Sequence, residues 1–247
     1  MTDAVPRPAA PAPVIAFFDV DNTLVRGASV YYVGRAAFRR GLISWRDVSV
    51  FAWHQFRFLA VGENHRHLRS ARTRALGLVR GHQSEAIVSL TRDVYRDDIV
   101  PNLLSEMVDR AKNHVAQGHE VWLVTATPTV LAEVIVEGIG VTGALGTGVE
   151  ISEDGRFTGE ILGDLMHGPE KARAAIAYAA ERGVSLADCV AYSDSSNDIP
   201  LLEAVGTAYA VNPDKKLATH AALRGWQVIT VVPPAPVRVA RTPNRRS

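Results

Sequence analysis

Short, continuous apolar runs separated by helical segments constrain this chain more than any other feature in it. The runs are "VIAFFD" (14–19), "EVWLVT" (120–125), "DCVAYSD" (188–194), "AYAVN" (208–212) and "WQVITVV" (226–232). A strand with one wet face alternates apolar and polar residues, whereas a near-continuous apolar run needs cover on both faces. "GPEKARAAIAYAAERG", opening on Gly168-Pro169, and "PDKKLATHAALRG" supply helices between the runs. Alternation of that kind implies an α/β fold, with a parallel sheet carrying helices on both faces. "VEISEDGRFTGEI" (149–161) reads as a hairpin turning at Asp154-Gly155. Thr127-Pro128 reads as the N-cap and N1 pair of the helix after the second run.

Residues 28 to about 115 break the alternation. "SEAIVSLTRDVY" carries the helical period, "DIVPNLLSEMVDRAKNHVAQG" ends in a glycine C-cap signal at Gly118, and no convincing strand intervenes. A chain of 247 residues has room for a core domain plus such an insertion. The expected organisation is a disordered Pro/Ala-rich lead (1–13), a core built from 14–27 and 116–231, a helical cap over 28–115, and a basic, Pro-rich, disordered tail (232–247).

Several classes recede on composition. The formal net charge of +1 gives no general pull toward nucleic acid or membrane. The lead lacks the apolar core of a secretory signal. The most apolar stretch, 48–61, is too short to span a membrane and contains His54 and Arg57, so it reads as the buried face of an amphipathic helix. The single cysteine, Cys189, has no intrachain partner for a disulfide, which makes a reducing, cytoplasmic setting the expectation.

The ends of the apolar runs carry the chemistry. The first ends in Asp19-Val20-Asp21, the second in Thr125, and the third in Asp194-Ser195-Ser196-Asn197-Asp198. Ligands of an open parallel sheet bind at the carboxyl ends of its strands, so these groups should share one cleft. Carboxylates that close drive one another toward protonation unless a cation joins them, and hard oxygen donors suit Mg²⁺. A helix N-terminus directly after Thr125 suits an anion. Lys171, in the first turn of another helix, opposes that helix's dipole and makes better sense beside a phosphate.

Asp-x-Asp-x-Thr after an apolar strand, a later strand-end Thr, a Lys and then Asp-x-x-x-Asp together resemble the haloacid-dehalogenase superfamily. The helical insertion resembles the subclass that includes phosphoserine phosphatases, and the likeness spans most of residues 14–231. It implies a Rossmann-like core and hydrolysis of a small phosphorylated substrate. On that resemblance Asp19 is the nucleophile that becomes an aspartyl-phosphate, and Asp21 the acid and base. The Asp19 carboxylate, the Asp21 carbonyl and Asp194 hold Mg²⁺, with Asp198 supporting directly or from behind. Thr125 and Lys171 hold phosphoryl oxygens, and Asn197 lies close to the phosphate.

Taken singly, these residues have plainer readings. Asp19 and Asp21 could form a loop start, Thr125 an N-cap or strand end, and Lys171 a solvated surface group. Asn197 is equally the N-cap of the next helix, and Asp198 a first-turn helix acid. Substrate choice is more open. Phosphoserine phosphatases carry a glutamate just beyond the first motif, where this chain has Gly27 and Ala28; Glu63 or another cap acid could substitute. Phosphoserine leads, ahead of a lipid-related or other polar phosphate and of a phosphotransferase with the same chemistry. A binding module that had lost catalysis should lack the nucleophile or the second acid, and both are present. The Arg-rich segment 65–82 (Arg66, Arg69, Arg72, Arg74, Arg80) is a solvated basic face, or else a reader of a second anionic group or acidic lipid headgroups. His54, His65 and His67 have no metal-ligand context.

Overall fold

The computed structural model describes residues 14–43, 77 and 79–232. Both tails, the stretch 48–61, Glu63, His54, His65, His67, Arg66, Arg69, Arg72 and Arg74 lie outside the described residues. No helix among the described residues is long and apolar enough to cross a membrane.

A seven-stranded sheet organises the chain in the order β4-β3-β2-β1-β5-β6-β7. The strands are β1 (Ile15–Phe18), β2 (Glu120–Pro128), β3 (Gly143–Ile151), β4 (Phe157–Leu162), β5 (Val190–Ser193), β6 (Thr207–Val211) and β7 (Gln227–Ile229). Pairing is parallel throughout except for the antiparallel β3–β4 hairpin. Helices α1 (Ser29–Arg39), α2 (Ser84–Val94), α3 (Ser105–Ala116), α4 (Thr129–Ile139), α5 (Pro169–Glu181), α6 (Ile199–Ala204) and α7 (Lys215–Arg224) connect and cover them.

The central strand explains the apolar run that announced it. All of β1 is buried. Ala16 and Phe18 face a core shared with α1–α4, including Met107 and Ala111 of α3 and Leu131 and Ile135 of α4. Ile15 and Phe17 face the opposite core, against Ala175 of α5, Leu201 of α6 and Leu217 of α7. Truncating Phe17 to alanine would cost about 3–5 kcal/mol at such a site. Phe18, Tyr192 and Tyr209 stack across neighbouring strands, with ring centroids 4.2 and 4.7 Å apart. Far from the strands' carboxyl ends, Glu120 accepts from Tyr178 Oη (2.7 Å), Trp122 Nε1 (3.0 Å) and the Arg182 guanidinium, clamping the start of β2 to the end of α5.

Two local expectations need correction. β2 runs on through Pro128, and α4 begins at Thr129 with Pro128 at the N-cap and no side-chain cap bond. Thr127 cannot cap because its hydroxyl is held by Ser29 and Thr125. Asn197 does not cap α6 either, since Asp198 occupies that position, while Ser195 caps the short 3-10 turn that precedes it. Gly168 does open α5, at φ 58°, followed by Pro169. Within the 28–115 stretch, α1 and α2 are cross-linked by Asp98, just beyond α2, which pairs with Arg35 and with Arg39 (3.0 Å) of α1. α3 packs on the sheet itself.

Candidate active site

β1 and β5 are adjacent, and their connections leave in opposite directions, so a crevice lies beyond their carboxyl ends. The Asp19 N–H donates to the Tyr192 carbonyl on β5 (2.9 Å), which seats the carboxylate at this crevice. A compact turn follows, in which Leu24 and Val25 N–H donate to the Val20 carbonyl. It needs a left-handed residue at Asn22 (φ 61°), a conformation asparagine tolerates better than most. Asn22 also bonds outward: Oδ1 accepts from Gly27 N–H (2.9 Å), and its side chain hydrogen-bonds Asp194.

Lys171 is the centre of the first cluster. Only 4% exposed, its ammonium donates to Asp19 Oδ1 (2.5 Å) and to Asp198 Oδ2 (2.7 Å). Ser193 Oγ donates to the same Asp198 oxygen (2.7 Å), and Thr23 Oγ1 donates to Asp19 Oδ2 (3.3 Å). The solvated-lysine reading is therefore excluded.

A second, hydroxyl-rich chain positions Asp21. The Ser29 N–H donates to Asp21 Oδ1 (2.8 Å), Ser29 Oγ and Thr127 Oγ1 are 2.8 Å apart, and Thr125 Oγ1 donates to Thr127 Oγ1 (3.0 Å). Ser29, Thr125 and Thr127 are buried, so these hydroxyls satisfy one another, with the Thr127 N–H also donating to Thr125 Oγ1 (3.1 Å).

The expected residues thus sort into groups. Lys171 bridges Asp19 and Asp198, Asp194 acts on them through its field and is itself hydrogen-bonded by Asn22, and Asp21 is linked to Thr125 by way of Ser29 and Thr127. Asn197 is exposed, and its amide donates to Ser195 Oγ (3.1 Å). Sequence reasoning missed Ser29, Thr127, Ser193 and Asn22. Ser193, a hydroxyl ending an apolar strand just before Asp194, was the one with a visible signal.

Negative charge is crowded here. Burial, opposed by Lys171 but reinforced by Asp198, Asp194 and Asp21, pushes the Asp19 carboxyl up to about 7. Burial, together with Asp198, raises Asp194 to about 6, against the pull of Lys171. Burial alone would depress Lys171, but Asp19 and Asp198 outweigh it and hold the ammonium above its ordinary range.

This donor set fits a hard divalent cation. Among the described residues no three acidic, histidine or cysteine groups form a ready-made cage. Mg²⁺ needs none, since one or two carboxylates, waters and a substrate phosphate complete its shell. Asp19 and Asp194 are the carboxyls that burial and their acidic neighbours push upward, so a cation beside them would relieve the crowding, while the engaged Asp198 oxygen holds Lys171 and Ser193. Of the arginine-rich segment, Arg80 is described, and it pairs with Glu160 of β4 (2.9 Å) at the surface.

Comparison with known proteins bears on this geometry. Residues 16–203 match the family model described as haloacid dehalogenase-like hydrolase. A Mycobacterium tuberculosis protein named phosphoserine phosphatase SerB1 is 42% identical over 214 residues, covering 86% of this chain and 69% of that one. A Bordetella pertussis crystal structure of a protein with unknown function superposes with TM-score 0.78 at 31% identity, over 88% of this chain and 98% of that one. An unliganded probable phosphoserine phosphatase from Vibrio cholerae shares the fold, with TM-score 0.65 at 17% identity, over 90% of this chain and 61% of that one.

Proposed function

Because the chain belongs to the haloacid dehalogenase-like hydrolases, we propose that it hydrolyses a phosphate monoester through an aspartyl-phosphate formed on Asp19. One observation carries the reading. Asp19 is held at the crevice by Lys171 and Thr23, while Asp21, two residues on, is fixed separately by the Ser29 N–H. Two carboxylates so close, in different surroundings, suit different tasks.

In the first step an Asp19 oxygen attacks phosphorus, the bond to the leaving oxygen breaks, and Asp21 gives that oxygen a proton. In the second, water attacks the same phosphorus, Asp21 takes the water's proton, and the bond to Asp19 breaks to release orthophosphate. Thr125 and Lys171 hold the phosphoryl oxygens, and Asn197 lies at the rim. Mg²⁺, held by Asp19, Asp194 and the Asp21 carbonyl with Asp198 behind, would neutralise phosphate charge when bound. Asp198 and Ser193 keep the Lys171 ammonium aimed at Asp19.

Phosphoserine, the leading candidate from the sequence, is also the substrate named for the Mycobacterium tuberculosis relative. The test of the chemistry does not depend on it. Aryl phosphate turnover with Mg²⁺ should vanish in Asp19→Asn, and beryllofluoride with Mg²⁺ should raise the melting temperature of the wild type but not of the variant. A folded, metal-replete wild type no more active than Asp19→Asn would sink the reading.

A further inference from the structure

An apolar cavity of ≈ 180 Å³ lies one residue along the backbone from the Ser29–Thr127 pair. Val30 and Gly34 of α1, Ile87 of α2, Leu131 of α4, and Val149 and Phe157 of the hairpin form much of its wall. Ala126 and Pro128, which flank Thr127, complete the side nearest Asp21's hydrogen-bonded support.

No charged side chain lines the cavity among the described residues. Its hydroxyls belong to Thr91 and Thr147, and both are committed. Thr91 Oγ1 donates to the Val88 carbonyl (2.8 Å), and Thr147 Oγ1 donates to the Ala126 carbonyl (2.9 Å) while accepting from the Met166 N–H (3.2 Å). Gly34 widens the space, since a Cβ built there meets no described atom within 4 Å. A glycine inside a helix is a local cost relative to alanine, and here it leaves room.

We propose that this cavity holds the apolar part of the substrate, so that the chain prefers phosphate monoesters of apolar alcohols to phosphoserine. The proposal rests on the phosphatase reading of Asp19 and narrows it. Size supports it: an apolar protein cavity of about 150 Å³ stays dry and takes up benzene, so this one has space for a ring or a short alkyl chain. Charge supports it as well. Among the described residues the wall offers no counter-charge to the ammonium and carboxylate of phosphoserine, and unpaired buried charge is strongly unfavourable.

The test is a series of methyl, propyl and hexyl phosphates beside phosphoserine, with Mg²⁺ present. From propyl to hexyl the leaving group's intrinsic reactivity hardly changes, so differences report binding. Each added methylene should raise kcat/KM about two- to fourfold until the cavity is full, and phosphoserine should fall below propyl phosphate. A flat series, or phosphoserine above propyl phosphate, overturns the proposal. Gly34→Leu should fill the space and lower the hexyl-to-methyl ratio by about tenfold, against the wild-type ratio. An unchanged ratio in the folded variant also overturns it. If no ester, methyl phosphate included, is turned over beyond Asp19→Asn, the phosphatase reading has failed separately. Calorimetric binding of hexylphosphonate against methylphosphonate then decides: tighter hexyl binding, lost in Gly34→Leu, upholds the cavity, and equal binding rejects it.

Discussion

Ser29 Oγ and Thr127 Oγ1 lie 2.8 Å apart although 98 residues separate them in the chain. Through this contact the first residue of α1 is tied to the end of β2, and the same serine's N–H holds Asp21. Seating of α1 and aim of the second carboxylate are therefore one hydrogen-bonded unit.

Thr127→Val removes the hydroxyl that Ser29 and Thr125 share. Leaving buried hydroxyls short of a partner costs about 1–3 kcal/mol, to be read from chemical denaturation. Turnover should fall mainly in kcat, because Asp21 loses its fixed orientation, and Thr127→Ser should recover most of it. A wild-type kcat in Thr127→Val would remove the link between this chain of hydroxyls and catalysis.

Lys171→Met keeps the packing but strands Asp19 and Asp198 in a buried site. Breaking one side of a buried pair costs about 3–5 kcal/mol, less whatever the carboxyls recover by taking up protons. Adding Asp198→Asn should restore part of that stability without restoring turnover. Urea melts of the single and double variants check the first half, and the aryl phosphate assay the second.

His114 gives the fold an acid sensitivity. Burial first, then the neighbouring His119 and Arg110, hold its pKa down to about 4, from 6.5. Its ring nitrogens sit 2.8 Å from His119 Nδ1 and 2.9 Å from Tyr192 Oη. Between those two pKa values the unfolded chain binds a proton that the folded chain refuses, so this residue's contribution falls as pH drops from 6.5 toward 4. Asp19, raised to about 7, acts in the opposite sense across that whole range, and Asp194, raised to about 6, over most of it. Comparing the slope of stability with pH in wild type and His114→Gln cancels them. The wild type should lose more on going from pH 7 to pH 5, and equal slopes would place any acid sensitivity elsewhere.

Chelation should abolish turnover while leaving the far-ultraviolet circular dichroism unchanged, because two hydrophobic cores, and not the crevice carboxylates, hold the sheet and helices together. Restoring Mg²⁺ should return activity and raise the melting temperature, as any ligand of the native state does. Full turnover in the chelated protein would contradict the role given to Asp19 and Asp194.

Of the strands read from sequence, β1 is the one whose burial is uniform, whereas β7, read from an equally apolar run, leaves Gln227 and Val228 exposed. β1 is apolar because both its faces are core, and Asp19 stands out directly after it. The first half of β3 was invisible because it is glycine-rich for packing reasons. A Cβ at Gly143 would lie 2.6 Å from the Trp122 ring, and one at Gly146 would lie 3.0 Å from the Thr127 carbonyl. Local composition there argues against a strand, and only the neighbouring strand reveals why it forms. Lys171 was legible through its conflict with the helix dipole. Ser29 was not, since its partner lies in another part of the sequence and no local pattern marks it.

The central position of β1 has a consequence for the order in which the molecule is made. Asp19 leaves the ribosome before the rest of its site, and β1 acquires one neighbour only with Glu120–Leu123 and the other only with Val190–Tyr192. Lys171 and Asp198 arrive in the same late interval. Pairings this distant are slow to form and leave a sheet edge open in the meantime. Asp19 is the first piece of its site to be synthesised and the last to be enclosed, so a chain stopped anywhere short of β5 carries that carboxylate without its site.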